Sequence, residues 1–313
     1  MATFAIYTYE FERIIRSAHS QLELEGFPSP GCTEEEWDKR LETFRELEFF
    51  KKDLPLEERT FVNGKSTYVY DTIFIEGNTA IMKFGRLSKK NVTDAMLNDH
   101  KIEDYPWCFV IWDNRDGIQR MLIEQKPSAW PNTKTSTGTK KAAKAICTVI
   151  DHLLSAKKGM HFNFGDGPVF KSDNFWEHVR HYPQGFSRVH FSFPPPNLGR
   201  LMDLADSIVG IRNETGGSYE ADLKAPQGGV LTLVPENPQT RSLVDLSSAC
   251  GKEIKAYPKD GHTMVRISGD NLENDVALEI PDALIPILSS NQLFKKDDFY
   301  KFVEILNSVK NLY

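Results

Sequence analysis

Two acidic residues and a lysine around a central hairpin of the sequence could bind a divalent metal and cut a phosphodiester. In CFVIWDNRDGIQRMLIEQK, an apolar run, an Asn-Arg-Asp-Gly turn and a second apolar run end in Glu124-x-Lys126. Metal-dependent nucleases use two carboxylates to hold Mg²⁺ and a lysine to position the attacking water. With a four-residue turn, Trp107 would face Glu124, and Asp104 would lie diagonally close to it. Asp104, Glu124 and Lys126 are therefore a candidate catalytic triad, although any hairpin end exposed to water has the same composition.

A second group of residues is suited to holding a phosphate backbone rather than cutting it. Lys140, Lys141 and Lys144 lie within five positions at the start of KKAAKAICTVIDHLLSAKKG, so a helix would bring them together. The preceding Ser/Thr-rich loop contains Trp130 and Lys134. Ammonium and hydroxyl groups at a helix N-terminus suit phosphate oxygens, and Trp130 could stack on a sugar or base. Such contacts predict binding without sequence preference and with steep salt dependence, and the alternative is an ordinary solvated helix face.

The charge distribution allows such a patch on an acidic protein. The formal net charge is −6, and the segment 34–58 carries ten acidic residues against five Lys or Arg. Between residues 127 and 158, six lysines stand against one acid, Asp151. A local basic patch of this kind can hold a polyanion in spite of the overall charge.

Several classes of protein are disfavoured by the sequence. No apolar run approaches the ~18 residues of a membrane span, and the first twenty residues do not resemble a signal peptide. The four cysteines are scattered without a Cys-x-x-Cys pair, which favours a reduced, cytoplasmic protein without structural zinc. We expect no cofactor, with Mg²⁺ needed only if the protein is a nuclease.

The first half of the chain predicts a β-hairpin-rich α+β domain. FAIYTY alternates like a strand, and CTEEEWDKRLETFRELEFFKK predicts a helix capped by Thr33. RTFVNGKSTYVYDTIFIEGNTAIMKFGRL predicts strands separated by turns at Asn-Gly and Gly-Asn. SKKNVTDAMLND predicts a short helix capped by Ser88, which would place Lys89 and Lys90 near its N-terminus as secondary phosphate contacts.

The second half predicts a ferredoxin-like βαββαβ domain. The order is a strand in FSRVHFSF, a helix in NLGRLMDLADSIVG, a hairpin of SYEADLKA with GVLTLV, a helix in TRSLVDLSSACG, and a strand KEIKAY paired with TMVRIS. KKDDFYKFVEILNSVKNLY predicts a closing amphipathic helix. The fold class is therefore α+β, with two domains at residues 1–135 and 161–313 and a connecting helix at 136–160.

Histidines offer one further enzymatic reading. His190 and Ser192 match the His-x-Ser pattern of two-histidine phosphoesterases, and His161 with Asn163 resembles a degraded second copy. Because those enzymes need two hydroxyl-bearing copies in one cleft, we expect structural histidines instead. Asp222, in YEADLKA, is expected on a solvated strand face. No Walker loop, Rossmann fingerprint or Gly-x-Ser-x-Gly elbow is present.

The order of elements resembles the RexA family of phage-exclusion proteins. YVYDTIFIEGNTAIMKFGRLSKKNVTDAMLND and PWCFVIWDNRDGIQRMLIEQ are similar to the strands and hairpin of that family's first domain. FSRVHFSFPPPNLGRLMDLADSIVG and YEADLKAPQGGVLTLV are similar to its second domain. The resemblance implies a two-domain homodimer that binds DNA without sequence preference in antiviral defence, with a membrane-protein partner. It carries no catalytic motif, and the acidic helix at residues 34–52 is an insertion relative to it.

The hypothesis from the sequence is a cytoplasmic, sequence-nonspecific DNA-binding protein of an antiphage defence or abortive-infection system. A Mg²⁺-dependent nuclease and a non-catalytic protein-interaction subunit of a defence complex stay open as alternatives. The neighbouring genes would help to decide, because a small membrane protein encoded beside this one would favour an exclusion system.

Overall fold

The structure, a computed structural model, describes residues 2–13, 32–93, 96, 99–115, 119–134, 136–193, 219–259, 264–269 and 277–280. The strands in chain order are β1 (Ala2–Arg13), β2 (Thr60–Asn63), β3 (Ser66–Glu76), β4 (Thr79–Arg86), β5 (Ser88–Thr93), β6 (Asp99–Asp104), β7 (Trp107–Asp113), β8 (Arg120–Glu124), β9 (Met160–Phe164), β10 (Phe186–Phe193), β11 (Tyr219–Lys224), β12 (Ile254–Pro258), β13 (Val265–Ile267) and β14 (Ala277–Ile280). The helices are α1 (Glu34–Asp38), α2 (Arg40–Arg45), α3 (Gly138–Lys158), α4 (Ser172–His181) and α5 (Pro238–Ala249). The chain is therefore α+β, as the sequence predicts.

The larger sheet is antiparallel, and β1 is the second strand from one of its edges. Its order is β14-β1-β8-β7-β4-β3-β2, and β9 also pairs with β1. One edge of β1 pairs with β8, while the other pairs with β14 near residues 2–5 and with β9 near residues 9–13. The sheet built mainly by the first half of the chain thus takes strands from residues 160–164 and 277–280 as well.

Side-chain alternation on β1 explains how the sheet forms a core. Tyr7, Tyr9 and Phe11 point to the face covered by α3 and by the segment around α2, and all three are buried. Phe4 and Ile6 point to the opposite face and are also fully buried. Strands buried on both faces have near-continuous apolar sequences, as seen here.

Helix α3 is the main helix of this core, and it matches the sequence prediction closely. Thr137 caps its N-terminus, Gly159 ends it with φ of 61°, and its apolar face is fully buried at Ala143, Ile146 and Ile150. An αL glycine after the last turn is a common helix stop.

The acidic segment is helical but broken. Thr33 forms the predicted N-cap, and its side chain and that of Glu36 make a reciprocal capping box. The helix ends after five residues, α2 follows, and a short 3₁₀ turn at Glu48–Phe50 comes next. Burial of Phe44, Phe49 and Phe50 in the core accounts for this bending around the sheet.

The predicted helix in SKKNVTDAMLND is wrong, because this segment begins with strand β5. β4 pairs with β7 with Gly85 opposite Trp107, and β5 pairs with β6 with Ser88 opposite Asp104. Both pairings belong to one register, so the hairpin continues beyond the larger sheet as a two-stranded ribbon, β5–β6, which we call the ribbon. Pairing with the distant β6 overrides the local pattern that indicated a helix.

The hairpin register predicted for CFVIWDNRDGIQRMLIEQK is also wrong. Asp113 pairs with Arg120 instead of residue 118, so the connection is longer than a four-residue turn. Glu124 consequently comes opposite Phe109 and not opposite Trp107. Gln119 with φ of 43° and the bidentate contact of Arg115 with Asp113 shape the described part of this connection.

The second sheet contains β10, β11, β12 and β13 in the order β11-β10-β12-β13, all antiparallel. The strands in FSRVHFSF, YEADLKA, KEIKAY and TMVRIS and the helix α5 are confirmed. The predicted hairpin of YEADLKA with GVLTLV is wrong, because β11 pairs with β10. Within the described residues, GVLTLV makes a single bridge, from Leu231 to Phe186. The predicted helices at 197–210 and 295–313 lie outside the described residues.

The two sheets meet along a junction of close backbone contacts. Val169 N donates to Ile6 O on β1, and the hydroxyl of Thr8 donates to Cys250 O at 2.6 Å. Gly251 adopts φ of 61°, and a Cβ at this position would lie 2.3 Å from Gly167 O. Glycine is required here both for the left-handed backbone and because the backbone segments at Gly251 and Gly167 approach each other closely.

No helix in the described part of the chain is long and apolar enough to cross a membrane.

Candidate nucleic-acid interface

Four of the predicted phosphate-binding lysines lie in the first turns of α3 or in the loop before it, and we call Lys134, Lys140, Lys141 and Lys144 the lysine patch. Lys134 in the preceding loop and Lys144 in the second helical turn are exposed, whereas Lys140 and Lys141 are half-buried. Lys140 and Lys144 are one turn apart, roughly 6 Å along the axis. The structure thus brings three amines to the N-terminal end of one helix and a fourth to the loop beside it.

Hydrogen bonds fix the loop that presents Lys134. Asn132 Oδ1 accepts from Gly138 N at 2.6 Å, and Thr133 N donates to Ser136 O at 2.9 Å. Lys141 Nζ donates to Pro131 O at 2.8 Å, which ties the helix back to the loop. These contacts join the loop and the first turn of α3 into one ordered surface.

Electrostatics at this end of α3 favour an anion. The only acid between residues 127 and 158 is Asp151, about two helical turns beyond Lys144. Asp151 Oδ1 accepts from Phe162 N at 2.9 Å and contacts His161 at 3.0 Å. The helix dipole adds partial positive charge at the same end.

Trp130 lies beneath the lysine patch instead of on its surface. Only 5% of its surface is exposed, and its ring stacks on Phe84 with the planes 10° apart. The guanidinium of Arg86 lies over the Trp130 ring at 5.1 Å. With these two neighbours, the indole would have to leave its site before a base could stack on it.

Arg86 is a cation near the patch that sequence reasoning missed. It is half-buried, and its Nε has no hydrogen-bond partner among the described residues. Trp130, which it covers, contacts the helix start closely, since a Cβ on Gly138 would lie 1.7 Å from Trp130 O. Alternation along β4 puts Arg86 on the face of Phe84, but nothing in the sequence joins it to residues more than forty positions away.

Lys89 and Lys90 are held by carboxylates on the ribbon. Lys89 Nζ is 3.5 Å from Glu103 Oε1 across the two strands, and Lys90 forms an ion pair with Asp104. The helix N-terminus that was expected to support them is absent, because both residues lie on β5. Their positive charge is largely offset within the ribbon.

Asp104, Glu124 and Lys126 are not brought together as a catalytic triad. Glu124 Oε2 accepts from Phe109 N at 3.0 Å, and Lys126 Nζ lies 3.7 Å from the centre of the Trp107 ring. Asp104 is five residues from Phe109 along the extended hairpin, roughly 16 Å at strand rise. In the part of the chain that the structure describes, no group of three His, Cys, Asp or Glu residues could hold a metal.

The two histidine motifs lie in different sheets. His161 is on β9 and contacts Asp151, whereas His190 is on β10 and contacts Asp222 Oδ1 at 3.2 Å. Ser192 Oγ lies 3.5 Å from His190 Nε2. They therefore do not share one phosphoesterase cleft.

Asp222 takes part in a bidentate ion pair on the polar face of the second sheet. Both of its oxygens accept from Arg188 at 2.8 Å, and its pKa is lowered chiefly by this hydrogen bond. The contact with His190 Nδ1 adds to the lowering. Arg188 and His190 thus provide hydrogen-bond partners for the Asp222 carboxylate within the sheet, so a structural role accounts for these three residues.

Comparisons with protein-family models, with curated proteins and with solved structures give no match to this chain. The resemblance to the RexA family stays a prediction.

Proposed function

We propose that this protein binds nucleic acid, in the first instance DNA, through the phosphate backbone and without reading sequence. The lysine patch supplies most of the contacts, and Arg86 adds a cation close by. The single observation that carries the proposal is that Lys134 and Lys144 extend into solvent at a helix N-terminus. Among the described residues, neither is within ion-pair distance of a carboxylate, in contrast to Lys89 and Lys90.

The chemistry of the patch supports backbone binding over base recognition. Ammonium groups on long side chains neutralise phosphates, whereas base recognition relies on planar bidentate groups placed in a groove. The buried position of Trp130 removes the stacking platform expected from the sequence. The proposed binding is therefore electrostatic, and it should weaken steeply as salt rises.

The overall charge limits how the complex can form. A net charge of −6 repels a polyanion at long range, and the acidic segment 34–58 contributes most to that repulsion locally. Approach along the lysine patch is favoured, because the patch offsets this repulsion locally. Affinity is expected to be modest near physiological salt, in the range typical of nonspecific binding.

The test is a fluorescence-anisotropy titration of labelled duplex and single-stranded DNA and RNA at several salt concentrations. The triple variant Lys134→Gln/Lys140→Gln/Lys144→Gln is compared with Lys39→Gln/Lys51→Gln/Lys52→Gln, which removes three exposed lysines from the acidic segment. We expect the patch variant to lower the slope of log K against log salt by up to about 2.7, since each phosphate contact contributes about 0.9. The control should leave the slope nearly unchanged.

Two outcomes would overturn the proposal. No binding of either nucleic acid at low salt removes it, and so does an equal loss of affinity in both triple variants. Plasmid nicking that requires Mg²⁺ and disappears in Glu124→Gln would revive the nuclease alternative.

The place of this activity in antiphage defence rests on the RexA resemblance alone. It implies a homodimer and a membrane-protein partner encoded nearby. Phage plating on cells that express the protein with its neighbouring genes tests this part. Equal plaque numbers with the wild-type protein and the patch variant would separate the binding activity from defence.

The ferredoxin-like arrangement of a second domain belongs to the same proposal. The order β10, β11, α5 and β12, with α5 beside β10, supports it. Because β11 lies antiparallel beside β10, a ferredoxin-like arrangement needs a helix and then a further strand between them in the chain, with that strand on the outer side of β11. A solved structure of the whole chain that shows both would establish it.

A further inference from the structure

The ribbon has two strand edges that no described strand covers. β5 and β6 form a sheet of only two strands, which continues the β4–β7 hairpin past the larger sheet. An isolated two-stranded ribbon is marginally stable in water, and its free edges can pair with another chain. Its apolar side chains Val92 and Ile102 keep 43% and 49% of their surface exposed, so the ribbon has no hydrophobic core of its own.

The hydrogen-bond alternation tells which residues present free backbone groups. Arg86 N donates to Pro106 O within the hairpin, whereas Leu87 N donates outward to Thr67 O on β3. In an antiparallel ladder, inward and outward pairs alternate. Continued along β6, this alternation turns the N–H and C=O groups of Lys101 and Glu103 toward the free edge.

We infer that two copies of this chain pair antiparallel through their β6 edges, about a two-fold axis at Ile102. In this register, each Lys101 faces Glu103 of the second copy, and the two Ile102 side chains meet on the axis. The outward N–H and C=O groups of Lys101 in one copy then face those of Glu103 in the other, so each such pair can form both backbone hydrogen bonds. The two ribbons become one four-stranded sheet.

Charge complementarity selects this register over its neighbours. A two-fold axis at Lys101 would set Lys101 against Lys101, and an axis at Glu103 would set Glu103 against Glu103. An axis at residue 100 would pair Lys101 with Asp99 but would leave Glu103 with no facing residue in β6. Only the axis at Ile102 places an opposite charge across from both, and opposite charges directly across strands are stabilising.

The β5 edge does not offer an equivalent surface. β5 has the sequence SKKNVT, with two lysines and no acid, so no two-fold register of this edge can pair opposite charges. Lysines on an edge strand disfavour edge-to-edge pairing. Lys89 instead contacts the β6 edge strand from within the ribbon, because its Nζ lies 3.5 Å from Glu103 Oε1 on the same face.

Sedimentation velocity over about 1–100 µM, a range suited to a small interface, tests the association. We expect the wild-type chain to pass from 35.7 kDa toward twice that mass as concentration rises. Lys101→Glu and Glu103→Lys should each stay monomeric, because each places like charges across the axis. An equimolar mixture of the two variants should restore the dimer, because every facing pair is then opposite in charge.

A crosslink gives an independent reading of the register. Facing residues in a non-hydrogen-bonded antiparallel pair have Cα atoms about 4.5 Å apart, which a disulfide can span. Ile102→Cys should therefore form a covalent dimer under mild oxidation. Lys90→Cys, on the neighbouring strand, is the control, since its two copies would lie about 14 Å apart.

Each contrary result overturns the inference. A wild-type chain that stays monomeric throughout, with no crosslink at Ile102→Cys, excludes the interface. A dimer that persists in both charge variants, or a mixture that fails to associate, places the contact elsewhere. None of these variants alters the lysine patch, so loss of association and loss of nucleic-acid binding are distinguishable.

Discussion

Glu10 on β1 and Lys252 after α5 form an ion pair that joins the two sheets across 242 positions of sequence. Lys252 Nζ lies 3.2 Å from Glu10 Oε1, and the two side chains keep only 14% and 9% of their surface exposed. Burial lowers the pKa of Lys252, but the carboxylates of Glu10 and Asp166 outweigh it, so the pKa is raised overall. The pair is therefore formed by charged partners inside the junction.

Removing one partner of this pair should destabilise the protein strongly. We expect Lys252→Met to lower the free energy of unfolding by about 3–5 kcal/mol, because it removes the cation of a buried ion pair and keeps the Glu10 carboxylate buried. Chemical denaturation measures the change. The double variant Glu10→Leu/Lys252→Met should regain most of the loss, and a double variant as unstable as the single one would contradict the role of the pair.

The same pair predicts a dependence on alkaline pH. Because the folded pKa of Lys252 is raised, its contribution is fully present below the unfolded value of about 10.4 and is lost as the pH rises through the folded value. The stability gap between the wild type and Lys252→Met should therefore narrow above about pH 10.4. Urea unfolding of both proteins at neutral and alkaline pH checks this, and a gap that stays constant would count against it.

Gly→Ala substitutions at Gly64 and Gly251 distinguish the cost of a left-handed backbone from the cost of a steric clash. Gly64 and Gly251 have nearly the same φ, 58° and 61°, but a Cβ on Gly64 meets nothing within 4 Å. Gly64→Ala should cost about 1–2 kcal/mol for the left-handed backbone alone. Gly251→Ala should cost clearly more, since its Cβ would overlap Gly167 O. If thermal unfolding shows the same loss of stability for both variants, the backbone around Gly251 can move to make room for the added Cβ.

The thiols of the native protein should react slowly with Ellman's reagent at pH 8. Burial raises the pKa of all four cysteines, to about 12 for Cys147, so each has less thiolate than a free cysteine at the same pH. The unfolded chain should release all four thiols at once. A fast thiol in the native protein that disappears in Cys147→Ser would mean that this half-buried cysteine is more accessible than its contact with Phe162 O indicates.

Elements with local signals could be predicted from the sequence. Thr33 has its capping partner three residues away, and α3 has a periodic apolar face and a glycine stop. The Asn63-Gly64 pair marks a hairpin whose turn is formed by Gly64 and Lys65. These features depend on neighbours within about one helical turn or one hairpin. The sequence therefore contains nearly all the information that determines them.

The sequence predictions are wrong where a residue distant in sequence determines the local structure. β5 is a strand because β6 continues the β4–β7 register, and Asp113 pairs with Arg120 because the connection between them holds more residues than a tight turn. At the candidate site, the lysines were found from helical spacing alone. Trp130 and Arg86 were misjudged or missed, because their stacking depends on strand β4.

The position of β1 has a consequence for synthesis of the protein. The strand at Ala2–Arg13 is synthesised long before its partners on one edge, which among the described residues are β9 and β14 at Ala277–Ile280. Such long-range pairing closes large loops, which slows folding and keeps a hydrophobic edge available for wrong partners. A nascent chain stopped before residue 277 would present Ala2–Ala5 as an open template, so premature termination should yield aggregates and recruit chaperones instead of giving a smaller active fragment.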